Sequence, residues 1–86
     1  MATVTIRYWA AAKDAAGVAE DVVEARTLAD ALSVILARRG SDGRLGPVLA
    51  RSSFLVDGNP AGRREPADLV LYDSAVVEVL PAFAGG

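Results

Sequence analysis

Only one stretch of this sequence repeats its apolar residues at helical spacing over more than two turns, and that limits the folds open to it. Leu28, Ala31, Leu32, Ile35 and Leu36 recur at i, i+3, i+4, i+7 and i+8, which marks one face for burial. Thr27 stands at the N-cap position, with Asp30 three residues on, close to the positive end of the helix dipole. The pair resembles a capping box with Asp in place of the longer Glu. Arg38 and Arg39 suit the negative C-terminal end, and Gly40 supplies the stop, so the spacing predicts a helix over residues 28–39.

The segments around this helix read differently. Val4-Thr5-Ile6-Arg7-Tyr8 alternates apolar and polar residues, predicting a half-buried strand over residues 3–9 with Val4, Ile6 and Tyr8 inward. Residues 10–17 fit either a short helical turn closed by Gly17 or a compact loop, and residues 18–25, with Val22 and Val23, are expected to pair back on the first strand. Residues 40–47 are a connector by composition, rich in Gly, Ser and Asp. Ser53-Phe54-Leu55-Val56 reads as a strand, Asp57-Gly58-Asn59-Pro60 as a turn, and residues 63–66 as a polar loop. Leu69-Val70-Leu71 is a short apolar stretch before a turn at Asp73-Ser74. Residues 75–80 form a nearly all-apolar strand, of the kind that lies inside a sheet with both faces covered. One helix among such strands must cover one face of a mixed sheet of four or five strands, packed diagonally by the right-handed crossover rule. The class is α+β.

Eighty-six residues make one domain, read here as residues 1–86 with 81–86 as an extended tail. With 52% hydrophobic and 23% charged residues, the chain is a folded domain by composition. It has no cysteine and no histidine, which excludes disulfides, thiolate metal sites, and Ser-His-Asp or Cys-His centres built from this chain alone. Ser52 and Ser53 lack a base to activate them. Asp57-Gly58-Asn59 offers two polar side chains, too few for a calcium loop, and reads as a turn. Trp9 reads as core or rim packing. The net charge is −2, and the doublets Arg38-Arg39 and Arg63-Arg64, without interleaved aromatics, read as solvated surface and not as a nucleic-acid footprint. No apolar run reaches the ~20 residues needed to cross a bilayer, and a cytoplasmic location is the default expectation.

After the last strand come Pro81-Ala82-Phe83-Ala84-Gly85-Gly86. A frayed end is one reading of the two glycines. Against it, Leu80 and Phe83 are large apolar groups where a free tail would be polar, and they suit an anchor on a partner surface, with Pro81 keeping the chain extended. Gly85 and Gly86 then form a thread without side chains, able to enter a narrow channel. A carboxylate there is inert until activated; as an acyl-adenylate it becomes an acyl donor that a nucleophile can approach closely.

Both ends of the chain carry a resemblance. Val4-Thr5-Ile6-Arg7-Tyr8-Trp9-Ala10 with Ala16-Gly17, Thr27-Leu28-Ala29-Asp30-Ala31-Leu32, Phe54-Leu55-Val56-Asp57-Gly58, and Val77-Glu78-Val79-Leu80-Pro81-Ala82-Phe83-Ala84-Gly85-Gly86 are similar to the MoaD/ThiS sulfur carriers, nearest to the small subunit of molybdopterin synthase. Ser74-Ala75-Val76 replaces the family's frequent Gly-Asp-Glu, and Pro81-Ala82 its frequent pair of prolines.

The resemblance implies a ubiquitin-like β-grasp fold and a cycle carried out by partners. An adenylating enzyme of the ubiquitin-activating type would use ATP and Mg²⁺ to convert the Gly86 carboxylate to an acyl-adenylate, and a sulfur donor protein would turn it into a thiocarboxylate. The charged tail would then thread into the large subunit of molybdopterin synthase, in a heterotetramer of two small and two large subunits, and pass sulfur to a cyclic pterin precursor. Gly86 is the reacting residue in this picture and Gly85 the thread. Leu80, Pro81, Phe83 and Ala84 contact the partner. No cofactor is bound permanently, and the tail is expected to be mobile when free and ordered when bound. Carriers for cysteine or thiamine-thiazole synthesis, a protein modifier joined to lysine, and an interaction module with no chemistry at its end remain open.

Overall fold

The computed structural model describes residues 1–82. Five strands form one mixed sheet in the order β2-β1-β5-β3-β4. The strands are β1 (Ala2–Tyr8), β2 (Glu20–Ala25), β3 (Ser52–Val56), β4 (Asn59–Pro60) and β5 (Val76–Pro81). The helices are α1 (Ala10–Ala16), α2 (Leu28–Arg39) and α3 (Leu45–Ala50), with a 3-10 turn at Pro66–Asp68.

Strand β1 runs antiparallel to β2, with Thr5 opposite Val22, and parallel to β5, with Tyr8 opposite Val79. Strand β3 runs antiparallel to β5, with Phe54 opposite Val79. Because side chains alternate along a strand, this register puts Val4, Ile6, Tyr8, Val23, Val77 and Val79 on one face, all buried. Leu28, Ala31 and Ile35 of α2 and Leu45 and Leu49 of α3 are buried on the same core.

The boundaries of α2 agree with the periodicity. Thr27 Oγ1 accepts the Asp30 N–H at 3.2 Å, which satisfies one of the free donors of the first turn. At the other end Gly40 has φ −93°, so positive φ is not what requires glycine here. A Cβ at Gly40 would stand 2.5 Å from the Leu36 carbonyl oxygen, and that close approach excludes any side chain.

The structure departs from the sequence reading in several places. Leu36, assigned to the buried face, is 38% exposed, because the buried residues of α2 end at Ile35 and Leu36 lines an open hollow with Gly46 and Leu49 of α3. Residues 40–47 are only partly a connector: from Leu45 the chain is helical. Gly46 and Pro47 obscured that helix, yet they fall in its first turn, where a missing N–H breaks no intrahelical bond. The segment after Tyr8 is helix α1, with Gly17 N–H donating to Lys13 O at 2.9 Å. The turn is confined to Asp57 and Gly58, both with positive φ (50° and 82°), and Asn59–Pro60 already pair with β3. Pro81 belongs to β5, opposite Ser52, so the strand extends one residue past its expected end. Finally, β5 is interior to the sheet, but only one of its faces is fully covered: Val77 and Val79 are buried, whereas Val76, Glu78 and Leu80 are half-exposed.

Candidate functional site

Two neighbours fix the position of the last described residues. Strand β5 is held on one side by β1 and on the other by β3. At its end Trp9 N–H donates to Val79 O at 3.3 Å from the β1 side, and Ala82 N–H donates to Arg51 O at 3.3 Å from the β3 side. The segment leading to residues 83–86 therefore leaves from the middle of the sheet, anchored on both flanks. Phe83, Ala84, Gly85 and Gly86, together with the expectation that the tail is mobile when free, lie outside the described residues.

Of the residues assigned to partner contact, Leu80 lies on the uncovered face of the sheet, opposite Ser53, and is half-exposed. Pro81 projects to the other face, in register with Val77 and Val79. The two thus face opposite ways, which the linear sequence does not convey.

The uncovered face holds a residue that sequence reasoning left as packing. Trp9 follows β1 at the end of the sheet where β5 terminates, and it is 48% exposed. Its indole Nε1 donates to Glu78 Oε1 at 3.2 Å, fixing the ring beside the base of the tail. Arg7 Nε and Glu20 Oε2 pair at 3.4 Å alongside. Arg7, Trp9, Lys13 and Glu20 line a shallow cavity of about 330 Å³. Across the sheet Val22 (57% exposed), Thr5 and Val76 stand side by side. The signal that could have found Trp9 is the parity of β1: Tyr8 points inward, so its neighbour Trp9 points out.

The same end carries one buried carboxylate. Asp21 of β2 accepts from Tyr8 Oη at 2.7 Å, from Arg39 Nε at 2.8 Å and Nη2 at 2.7 Å, and from Arg38 Nη1 at 3.3 Å. These donors outweigh desolvation, with Arg39 the largest influence, and lower the Asp21 pKa to about 2. Burial first, and the adjacent Asp21 second, push the Tyr8 phenol above its ordinary range. A carboxylate saturated by donors and a phenol held protonated suit a brace between strand and helix better than a proton shuttle. Among the described residues there is no cluster of His, Cys, Asp or Glu able to hold a metal ion, and no helix long and apolar enough to cross a membrane. Asp57 Oδ1 accepts the Val76 N–H at 2.9 Å, which ties the β3–β4 turn to the start of β5 and explains that aspartate without a cation. Ser52 Oγ donates to Val48 O at 2.7 Å.

No protein-family model and no curated protein matches this sequence. Solved structures do. Small archaeal modifier protein 1 from Methanosarcina acetivorans superposes over all of this chain and 98% of its own, with TM-score 0.84 at 23% identity. A putative molybdopterin converting factor, subunit 1, from Pyrococcus furiosus covers 96% of this chain and 100% of its own, with TM-score 0.73 at 26% identity. The fold is the ubiquitin-like β-grasp. A chain from the complex of subunits 1 and 2 of the molybdopterin-converting factor of Helicobacter pylori also shares this β-grasp, over 98% of the present sequence, with TM-score 0.67 at 20% identity. The structural neighbours of this β-grasp are thus archaeal modifiers and MoaD-like converting-factor subunits, of which the second group is the one the resemblance implies. Trp9, Glu78 and Leu80 stand where its central strand hands the chain on to residues 83–86.

Proposed function

We propose that this protein is a sulfur carrier whose working group is the carboxylate of Gly86, and that it supplies sulfur to a cyclic pterin precursor as the small subunit of a molybdopterin synthase. The observation that carries the reading is the placement of the Phe83-Ala84-Gly85-Gly86 sequence directly after a central strand anchored on both flanks. Such a base gives a thread a fixed point of departure, while the half-exposed Trp9 and Leu80 beside it offer apolar contact to a partner. In this reading the groups that move protons belong to the partners, in keeping with a chain that has neither histidine nor cysteine.

In the cycle a Gly86 carboxylate oxygen attacks the α-phosphorus of ATP on an adenylating enzyme, and pyrophosphate leaves. A persulfide on a donor protein then attacks the acyl carbon and AMP leaves, giving an acyl disulfide. A thiol of the partner proteins attacks the donor-side sulfur, becomes a disulfide with it, and releases the thiocarboxylate. Gly85 lets the chain pass a narrow channel, and Leu80, Pro81, Phe83 and Ala84 seat it on the large subunit. The H. pylori converting factor, solved as a complex of subunits 1 and 2, supports a partner of that kind.

A second reading uses the same activated carbon. Two of the neighbours described above differ in role by name, and a modifier protein would pass its acyl group to a lysine amine of a target. Reconstitution separates the two. Thiocarboxylated protein mixed with the large subunit and the cyclic precursor should return dithiolene product and uncharged carrier; Leu80→Arg should cut the rate at least about tenfold by burying a charge in the interface. Lysine-linked conjugates without dithiolene product would replace sulfur transfer by protein modification.

A further inference from the structure

Helix α2 is packed differently on its two sides. On one, Arg38 and Arg39 close over Asp21. On the other, Leu32, Leu36, Leu49, Ala50, Phe54 and Pro66 line an apolar groove of about 400 Å³ between α2, α3 and β3. Leu36, placed by periodicity on the buried face, is exposed at its wall, and Phe54 is only partly buried at its floor. The groove continues past Ser52, Phe54 and Pro66 into a second hollow of about 340 Å³ that reaches Arg64.

Charge is distributed unevenly along the chain. Residues 38–64 contain six arginines against two aspartates, whereas the rest of the chain has three basic residues against nine acidic ones. Arg38 and Arg39 are committed to Asp21. Arg44, Arg51, Arg63 and Arg64 are exposed, and among the described residues none of them enters an ion pair. Arg44 precedes α3 and Arg51 follows it, so these two bracket the helix that forms one wall; Arg64 lines the adjoining hollow, its side chain donating to the Ala61 and Pro60 carbonyls. Of the two aspartates, Asp42 accepts its own loop's Arg44 N–H and Asp57 accepts the Val76 N–H. Glu65 and Asp68, on either side of Pro66 in the chain, are exposed acidic residues near the rim.

We infer that this groove is a docking site for an acidic partner segment, an extended or helical stretch with one or two large apolar side chains flanked by carboxylates. The apolar side chains fill the space beside Leu36 and Phe54, and the carboxylates meet Arg44, Arg51 and Arg64. The groove lies on the helix-bearing side of the sheet, and Trp9, Val22 and Leu80 lie on the uncovered one. A partner can therefore occupy it while the other face is engaged, and the inference does not depend on the carrier reading.

The test uses the full chain and a defined probe, the blocked hexapeptide Glu-Asp-Leu-Phe-Glu-Asp, titrated by ¹H–¹⁵N NMR. Saturable shifts centred on Leu36, Leu49, Ala50 and Phe54 are expected. Affinity should fall several-fold between low and physiological salt as the arginine field is screened. Leu36→Glu, a surface change that leaves the core intact, should weaken binding at least about tenfold, and Arg51→Glu about threefold. A peptide with lysines in place of the acids should bind at least about tenfold more weakly. The inference is overturned by no binding up to millimolar peptide, by shifts centred on Val22, Thr5 and Val76, or by equal binding of the lysine peptide. A dimer of the free protein that Leu36→Glu dissociates would give the groove to a second copy. Peptide affinity that rises tenfold on removal of residues 83–86 would give it to the chain's own tail. Either result also overturns the inference.

Discussion

The two flanks of α2 solve the same packing problem with opposite chemistry. On the β1–β2 flank a carboxylate is buried beneath two arginines and a tyrosine, and strand and helix are locked by hydrogen bonds that tolerate little displacement. On the β3 flank the contact is apolar and incomplete, with Leu36 and Phe54 left partly open. A satisfied buried charge holds one geometry, because loss of any partner leaves an uncompensated group. An unfilled apolar groove carries no such constraint and stays available to another molecule. The comparison separates what keeps the sheet in place from what can receive a partner, and the base of the tail lies between the two.

The first way to break the comparison is to remove what both flanks share. Ile35 is fully buried beneath the sheet, and Ile35→Ala should cost about 3 kcal/mol in urea unfolding at unchanged m-value, by lost transfer energy and the cavity left behind. A smaller cost would mean that α2 adds little to the core and that its flanks differ for another reason.

The braced flank comes next. Asp21→Asn should cost about 2 kcal/mol at neutral pH, in line with a carboxyl lowered from 3.8 to about 2. Because the folded-state pKa lies below the unfolded one, this stability is fully present above about pH 4 and is lost as pH falls through the folded value near 2. The wild type should therefore weaken over that window, and the variant should show a flatter acid limb in the same titration. Parallel acid limbs would remove Asp21 as the brace.

Thr27→Ala tests the local start of α2 apart from either flank. It deletes the acceptor of the Asp30 N–H and should cost about 1 kcal/mol, with loss of amide protection confined to the first turn. The smallest effect belongs to the open flank: Leu36→Ala should change stability by no more than about 0.5 kcal/mol, as for a surface site. A loss as large as that of Ile35→Ala would mean that the groove is closed in solution, and the contrast between the flanks would fail.

Much of this architecture was legible in the sequence because periodicity and caps act locally. Thr27, the i, i+3, i+4 spacing and Gly40 delimit α2, and the alternation from Val4 to Tyr8 assigns the buried face of β1. Helix α3 escaped notice because Gly46 and Pro47 carry a breaker signal that a first turn cancels. The exposure of Leu36 was not legible either, since the pattern from Leu28 to Leu36 states which residues share a face and not how far the neighbouring layer extends over it. Asp21 gave no signal of its own in the linear chain, because its burial depends on Tyr8 and Arg39, 13 and 18 residues away. The candidate site divides in the same way. Leu80 and the Phe-Ala-Gly-Gly sequence stand out in the linear chain, but Trp9 joins them only through the parallel pairing of β1 with β5.

The central claim concerns one atom, and intact mass addresses it most directly. The protein is weighed before and after incubation with ATP, Mg²⁺, its adenylating enzyme and a sulfur donor. A gain equal to one oxygen replaced by sulfur, located on Gly86 by fragmentation and absent when Gly86 is deleted, is the predicted result. An unchanged mass, with the same enzyme shown to activate another carrier, would contradict the account and leave a β-grasp domain that works through its surfaces alone.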